Sequence, residues 1–192
     1  MRSLTFVAIS MVAAVTAGTS AQPPSRPAPP PPPAAPVPSI LQNYKPVDAA
    51  RLKSPADGDW LMVRRTYSGW GYSPLEQITP ANVTRLQPVW SLSTGVTNGH
   101  EAPPIVNNGV MFVATPGNQV IALDAKTGTV LWRYRRPLPE DVILLHGTSR
   151  GVALYGDKVF FAAGEAVLVT LQWSLDLARM HLAWERSQSQ RQ

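Results

Sequence analysis

The 192-residue chain contains no cysteine. Neither a disulfide framework nor a thiolate metal site is therefore available, and no cysteine follows the N-terminal apolar run to carry a lipid. Among the three histidines, His100 and His146 lie near other polar residues, but no third ligand occurs at a spacing that suits a metal ion. We therefore treat both as loop residues and expect the fold to depend on a packed core.

A coherent basic face is also missing, although the formal net charge is +5. Basic residues occur in short clusters, at 64–65 and 133–136, where they are typical of solvated strand edges. Nucleic-acid binding would need such side chains gathered on one face beside aromatic platforms. The sequence therefore predicts no nucleic-acid partner.

The N-terminal apolar run, residues 4–17, is short for a membrane span. It follows Arg2 and precedes Thr19-Ser20-Ala21, a small-residue cleavage pattern, so we predict a secretory signal peptide over residues 1–21. An uncleaved N-terminal anchor is the alternative. Residues 22–39 are rich in proline and predict a disordered polyproline-II linker, or else a docking site for a proline-reading module. After signal removal we expect no stable membrane span.

Residues 106–132 (VNNGVMFVATPGNQVIALDAKTGTVLW) show three short apolar runs separated by two marked turns. Asn108-Gly109 is a pair that favours hairpin turns with positive φ. In the later turn Asp124 can accept backbone N–H bonds, and Gly128 can take a positive φ because it has no Cβ. Trp132 has enough apolar area to cover the hairpin. The stretch predicts three antiparallel strands.

The same stretch repeats later in the chain, since residues 106–123 align without a gap on residues 154–171. The alignment matches Phe112 with Phe160 and keeps most apolar positions. A repeat of this length built from short strands indicates propeller blades or a β-solenoid, not a helical array. The fold class is therefore all-β.

Residues 57–103 add one helix and one strand to this pattern. Four aromatic residues between 57 and 86 follow neither a helix nor a strand period. Residues 79–86 predict a short helix, with Thr79 as N-cap and Pro80 at the first helical position. Residues 88–93 (PVWSLS) alternate and predict a strand, and residues 103–106 predict the first strand of a hairpin with residues 110–114.

Three segments of this sequence resemble the N-terminal blades of PQQ-dependent alcohol dehydrogenases. These are periplasmic quinoproteins of the methanol and ethanol dehydrogenase type. The segments are SGWGYSPLEQITPANVTRLQPVWSLSTG, GHEAPPIVNNGVMFVATPGNQVIALDAKTGTVLW and SRGVALYGDKVFF. The resemblance runs in order from residue 57 to residue 171. It implies an eight-bladed β-propeller, of which residues 40–171 supply about two blades. It also implies a tryptophan docking motif at the end of each blade, here one complete copy formed by Ala122, Asp124, Gly128 and Trp132.

The resemblance further implies a chemistry. In that family pyrroloquinoline quinone (PQQ) lies beside a bound Ca²⁺, and an aspartate base activates a small alcohol as hydride passes to the quinone. Electrons then go to a cytochrome or quinone acceptor. Glu101, in Gly-His-Glu, matches the glutamate that hydrogen-bonds the quinone, and Arg150, in Ser-Arg-Gly, matches the arginine that reaches the quinone and its carboxylates.

Some positions depart from the family pattern. Leu144 and Leu145 stand where many members have adjacent cysteines, and Ala163 stands where a hydroxyl side chain usually contacts PQQ. The positions that would hold the metal and the catalytic aspartate have no counterpart in this sequence. We therefore assign no catalytic residue and no metal ligand, and we expect a periplasmic fragment without turnover of its own.

Residues 172–192 are predicted to be an aberrant or degenerate tail. Asp176 and Trp184 keep the spacing of the docking motif, but Met180 stands at the glycine position, where a positive φ would be costly. A decayed motif and a shifted reading frame both fit. Two rival functions also remain: a non-catalytic propeller scaffold that binds other proteins, and a small β-rich partner for another chain.

Overall fold

The computed structural model describes residues 37–144 and 146–173. The predicted signal peptide, most of the proline-rich linker and the tail beyond Trp173 lie outside the described residues. Within them, no helix has both the length and the apolar character to cross a bilayer. The helices are short: α1 (Ser39–Gln42), α2 (Ala49–Lys53) and one 3-10 turn (Val83–Arg85).

A four-stranded antiparallel sheet forms the first blade. Its strands follow chain order, β1 (Ile105–Asn107), β2 (Val110–Thr115), β3 (Gln119–Asp124) and β4 (Val130–Arg135). The three apolar runs of residues 106–132 thus become β2, β3 and β4, as the pattern predicted. Residues 103–106 contribute the predicted hairpin partner, β1, although regular pairing begins only at Ile105.

A second sheet repeats the first. Its strands are β5 (Val152–Tyr155), β6 (Lys158–Ala162) and β7 (Leu168–Gln172). In the first sheet Val110 pairs with Asp124, and in the second Lys158 pairs with Gln172. Lys158 follows Val110, and Gln172 follows Asp124, by the same number of residues that separates residue 106 from residue 154 in the sequence alignment. The repeat in the sequence is therefore a repeat in register, and the prediction of consecutive blades is confirmed.

Local turn chemistry sets the hairpins. Asn108 and Gly109 adopt φ values of 49° and 81°, which close the two-residue turn between β1 and β2. The Asp124 carboxylate accepts hydrogen bonds from the backbone N–H groups of Lys126 and Thr127, at 2.8 and 3.1 Å. Gly128 has a φ of 72°, as predicted. These contacts reverse the chain from β3 to β4.

The core lies inside and between the two sheets. Phe112 and Phe161, on the equivalent strands β2 and β6, are fully buried. Trp132 packs on Phe112 with ring centroids 5.9 Å apart and is itself buried. Burial of aromatic side chains dominates the energy of such a core, because each removes a large apolar area from water.

The segment before β1, residues 47–60, forms a β-bridge to each sheet. Val47 forms an antiparallel bridge with Gly156 at the β5–β6 turn, and Trp60 forms another with Val106 on β1. Between them, Arg51 donates to the carbonyl oxygens of Lys45 and Pro46, and to two side chains, Asp59 Oδ2 and Asn107 Oδ1, at 2.7 Å each. This segment therefore holds the blades together before the propeller sequence begins.

Two predictions from residues 79–93 are wrong in detail. The helical turn is present, but it is a 3-10 turn starting at Val83, and its N-cap residue is Asn82 rather than Thr79. The Asn82 side chain accepts from Thr79 N–H, on the segment that leads into the turn. Residues 88–93 do not form a regular strand. Their backbone makes no hydrogen bond to another described backbone group, because no sheet edge lies beside them within the described residues.

Candidate functional site

Glu101 and Arg150 lie just ahead of the first strands of the two sheets. Glu101 precedes β1 and Arg150 precedes β5, so the repeated register brings both to the same end of the blades. Arg150 Nη1 lies 2.5 Å from Glu101 Oε2. The pair is open to solvent, with 81% of the Arg150 side chain exposed. The fold therefore joins the two residues that the sequence proposed separately.

A small cavity lies beside Arg150, with a volume of about 140 Å³. Its lining combines hydroxyl and amide side chains with one leucine: Thr115, Asn118, Leu144, Thr148, Ser149 and Arg150. Arg150 supplies the positive charge at this site. An exposed guanidinium next to hydroxyl groups can bind a carboxylate through paired hydrogen bonds.

Leu144 covers one wall of this cavity. Its side chain lies directly on Gly164, where an added Cβ would be 2.7 Å from Leu144 Cδ1. Glycine at 164 is therefore needed for Leu144 to lie this close to the β6–β7 turn. The neighbouring Ala163 is buried and offers no hydroxyl, and it does not line the cavity, whose wall beside it is formed by Ala162 and Gly164. The structure describes Leu144 but not Leu145, which lies outside the described residues.

Behind the cavity, three polar side chains connect the two blades. Asn118 donates to Glu165 Oε2 at 2.6 Å and accepts from Gly164 N–H at 2.9 Å. Arg136 Nε donates to the other carboxylate oxygen of Glu165. Burial raises the pKa of Glu165, but hydrogen bonds from Arg136, from its own backbone and from Asn118 outweigh it, so the pKa is lowered. Hydrogen bonds and an ion pair among Asn118, Arg136 and Glu165 therefore hold the two blades in a fixed position behind the cavity.

The residues of the docking motif meet a second tryptophan. Trp90 lies against Gly128, and its Nε1 donates to the Ala125 carbonyl oxygen at 3.1 Å. Trp132 in turn donates from Nε1 to the Trp173 carbonyl oxygen at 2.8 Å. Gly128 is thus required for two reasons, its positive φ and the indole ring beside it. Ala122 is buried on β3, opposite Trp132 in the pairing of β3 and β4.

His100 is held in its own loop. One ring nitrogen lies 2.9 Å from Thr94 Oγ1 and the other 2.9 Å from the Asn98 carbonyl oxygen. In the described ranges, no three histidine, cysteine or carboxylate side chains come together as metal ligands. These residues therefore give no assignment of a metal site.

Residues 60–176 match the family model described as PQQ: glucose/ethanol/alcohol dehydrogenase, β-propeller domain. The chain belongs to the PQQ-dependent alcohol dehydrogenase family. The two sheets with matching register are consecutive blades of its propeller. The resemblance inferred from the sequence motifs is therefore confirmed, together with the fold class.

Relatives of known activity share part of this chain. It is 44% identical over 103 residues to the quinoprotein ethanol dehydrogenase of Pseudomonas aeruginosa, covering 52% of the chain and 16% of that enzyme. It is 38% identical over 117 residues to the dehydrogenase subunit of the Gluconobacter oxydans alcohol dehydrogenase (quinone), covering 59% of the chain and 16% of that subunit. The chain thus spans about a sixth of the length of these relatives.

Solved structures of enzymes from this family superimpose on the chain. A quinohemoprotein alcohol dehydrogenase from Pseudomonas putida superimposes with a TM-score of 0.62 at 34% identity, covering 67% of this chain and 20% of that one. A europium-containing methanol dehydrogenase superimposes with a TM-score of 0.59 at 31% identity, covering 65% and 23%. Both support the propeller arrangement of the two sheets.

The family cofactor PQQ is a planar tricarboxylic acid, and the residues present fit one edge of it. Arg150 can bind a carboxylate, and the hydroxyls of Thr148 and Ser149 line the adjoining cavity. Sequence reasoning missed the support formed by Asn118, Arg136 and Glu165. The one signal available was the Pro116-Gly117 turn before Asn118, and it does not identify Glu165 as the partner.

Proposed function

We propose that this chain supplies the first blades of a periplasmic PQQ-dependent alcohol dehydrogenase, and that Glu101 and Arg150 bind one edge of the cofactor. PQQ, when bound, supplies a two-electron acceptor for hydride from an alcohol. Arg150 donates hydrogen bonds to the cofactor's carboxylate or quinone oxygens. Glu101 contacts the cofactor and orients the guanidinium.

The Glu101–Arg150 ion pair carries this proposal. The two residues are distant in sequence and belong to successive blades, yet their charged atoms are 2.5 Å apart. A surface ion pair adds little stability, because solvent screens its charges and the side chains lose entropy. A stabilising role therefore explains the pair poorly, whereas a cofactor-binding role explains why an exposed arginine is held at the mouth of a cavity.

Binding of PQQ tests this role directly. We expect the purified chain to quench PQQ fluorescence on titration, and Arg150→Ala to raise the dissociation constant about tenfold or more, because a charge-assisted hydrogen bond is lost. Glu101→Gln keeps the shape of the side chain and removes its charge, so we expect a smaller increase. Arg85→Ala, on the 3-10 turn, is the matched control for a lost positive charge. Equal binding by Arg150→Ala and Arg85→Ala would favour the non-catalytic scaffold instead.

We further propose that the chain does not turn over alcohols alone. A cavity of about 140 Å³ is smaller than the roughly 300–1,000 Å³ of ordinary ligand pockets. The Glu101 carboxylate at this site is engaged in its ion pair with Arg150 and is not free to take up the alcohol proton. Alcohol-dependent dye reduction by the purified chain with PQQ and Ca²⁺ tests this, and a rate above that of the dye mixture alone would contradict it.

The metal of the intact enzyme is part of the same proposal. The resemblance implies Ca²⁺, whereas one structural relative is a europium-containing enzyme. We therefore propose to run the PQQ titration with Ca²⁺, with Eu³⁺ and without metal. A metal-independent dissociation constant would indicate that the metal ligands lie outside the residues that bind this edge of the cofactor.

Electron transfer and export complete the proposed setting. The Gluconobacter oxydans relative is a dehydrogenase subunit and the Pseudomonas putida relative is a quinohemoprotein, which supports a cytochrome or quinone acceptor. Export is inferred from residues 1–21. It predicts a mature N-terminus at Gln22 in a periplasmic extract, and an intact N-terminus in that fraction would contradict cleavage after Ala21.

A further inference from the structure

Gln119 is a buried amide at the start of β3, a strand whose next four residues are apolar. Only 3% of Gln119 is exposed. Burying an amide costs free energy unless its hydrogen bonds are made, and an apolar side chain of similar size would carry no such cost. The partners of the Gln119 amide therefore indicate what this position does.

The Gln119 side chain connects the cavity wall to the loop before β1. Its Nε2 donates to Thr115 Oγ1 at 2.8 Å and to the Thr94 carbonyl oxygen at 3.2 Å. Its Oε1 accepts from Arg133 Nη1 at 3.1 Å, and the same Nη1 donates to the Thr94 carbonyl oxygen at 3.0 Å. Thr115 lines the cavity. Two side chains of the first sheet thus bind one carbonyl oxygen of the loop.

The loop from Thr94 to Glu101 depends on these side chains for its position. In the described part of the chain, residues 94–101 make no hydrogen bond between backbone groups. The loop is closed by His100, whose ring nitrogens lie 2.9 Å from Thr94 Oγ1 and from the Asn98 carbonyl oxygen. Glu101 directly follows His100, so a displacement of Thr94 is passed on to Glu101.

We propose that Gln119 and Arg133 are positioning residues, which hold the Thr94 carbonyl oxygen and so place Glu101 against Arg150. Neither residue lines the cavity, so both act through the loop. This role rests on the proposed binding of PQQ by Glu101 and Arg150. It explains why an amide, rather than an apolar side chain, is buried at residue 119.

Backbone ¹⁵N relaxation of the free chain tests the positioning without the cofactor. We expect the order parameter of the Glu101 amide to be about 0.85 in the wild type, as in rigid backbone, and below about 0.6 in Gln119→Leu. Leucine nearly keeps the volume but removes both donors. Arg133→Ala removes an exposed side chain, so it should fold even where Gln119→Leu does not, and its order parameter should also fall.

Two variants are the controls for this measurement. Val120→Ala shortens a fully buried side chain on β3 and lowers stability without removing a hydrogen bond to Thr94. Arg135→Ala removes a positive charge from β4, the strand that carries Arg133. We expect both to keep the wild-type order parameter at Glu101.

A double-mutant cycle with PQQ tests whether Gln119 acts through Glu101. We expect Gln119→Leu to raise the dissociation constant about fivefold or more, because the hydrogen bonds that place Glu101 are lost. In a Glu101→Ala background the same change should have no effect, since coupled residues are not additive. An equal increase in both backgrounds would show that Gln119 acts through Thr115 and the cavity wall, and would overturn the proposal.

The two measurements separate this role from the proposed function. If the wild type does not bind PQQ, the proposed function fails, and the order parameters still decide whether Gln119 and Arg133 hold Glu101. If the wild type binds PQQ but the Glu101 amide stays rigid in every folded variant of Gln119 and Arg133, the positioning role is wrong and the proposed function stands.

Discussion

Gly128 lies face to face with the indole ring of Trp90, so that an added Cβ would stand 2.6 Å from Trp90 Cδ2. We expect Gly128→Ala to lower the free energy of unfolding by about 3 kcal/mol, because it combines a strained positive φ with overpacking. Urea denaturation followed by tryptophan fluorescence measures the change.

Gly156→Ala separates the two contributions. Gly156 also has a positive φ, of 58°, but no atom lies within 4 Å of an added Cβ. Its variant should therefore lose about 1 kcal/mol, from backbone strain alone. Equal losses at the two glycines would show that the Trp90 contact contributes nothing.

Glu165 should make stability depend on pH. Its pKa is lowered in the folded protein, so its contribution is fully present above the ordinary carboxyl value of 4.5 and is lost as the pH falls through the lower folded value. Thermal unfolding measured between about pH 3 and 7 covers the ordinary range in which carboxyl groups titrate. Over this range we expect the stability of Glu165→Gln to fall less with decreasing pH than that of the wild type.

Near neutral pH the same variant should also lose about 2 kcal/mol, since the Arg136 guanidinium would keep only a neutral partner. Glu140→Gln is the matched control, because Glu140 is exposed in the loop after β4. If both variants kept the wild-type acid profile, Glu165 would not be the group that titrates.

Arg51 is expected to be irreplaceable by lysine. Its guanidinium donates to four acceptors at 2.7–2.8 Å in a fixed fork, including Asp59 and Asn107. Lysine keeps the charge but cannot reach all four, so Arg51→Lys should cost about 2–3 kcal/mol in unfolding experiments.

Arg64→Lys is the control for this prediction. The Arg64 guanidinium makes one long hydrogen bond, of 3.4 Å, to the Gly69 carbonyl oxygen, and we expect its variant to stay within about 0.5 kcal/mol of the wild type. A similar small effect at Arg51 would mean that water replaces the lost contacts.

Trp132→Phe tests the blade-to-blade contact. Phenylalanine keeps a ring against Phe112 but loses the donor to the Trp173 carbonyl oxygen, so we expect a loss of about 1–2 kcal/mol. Trp132→Ala removes the ring as well and should cost about 3–5 kcal/mol. Calorimetry of both variants compares the two losses, and equal values would assign the whole effect to packing.

Local chemistry explains which parts of the fold the sequence predicted. Asn108-Gly109 and the turn from Asp124 to Gly128 depend on nearby backbone geometry, which residue type determines. The sequence repeat then predicted the second sheet, because like strand and turn patterns favour like pairing. It did not predict which face is buried, since Phe112 is buried in β2 but its aligned residue Phe160 is only half-buried and Phe161 is buried instead. Residues 88–93 alternate as a strand should, but a strand needs a neighbour, and the pattern of one segment contains no information about its partner.

The candidate site likewise has one part that the sequence predicted and one part that it did not. Neither Glu101 nor Arg150 differs by itself from an ordinary charged loop residue, and only the family resemblance identified them. Their contact follows from the matching ends of β1 and β5, which the repeat alone could have predicted. The network of Asn118, Arg136 and Glu165 joins residues far apart in the chain, and single-sequence patterns do not encode such pairings.

The identical register of the two sheets has a consequence for engineering. Except for Val152 with Phe161, each pairing in the second sheet is a pairing of the first moved along the chain by one repeat, so residues 105–152 have the properties of a module with matching ends. A duplicated module would meet the same tryptophan contact on each side. The chain can therefore be lengthened or shortened by one whole blade at a time, as in other repeat proteins.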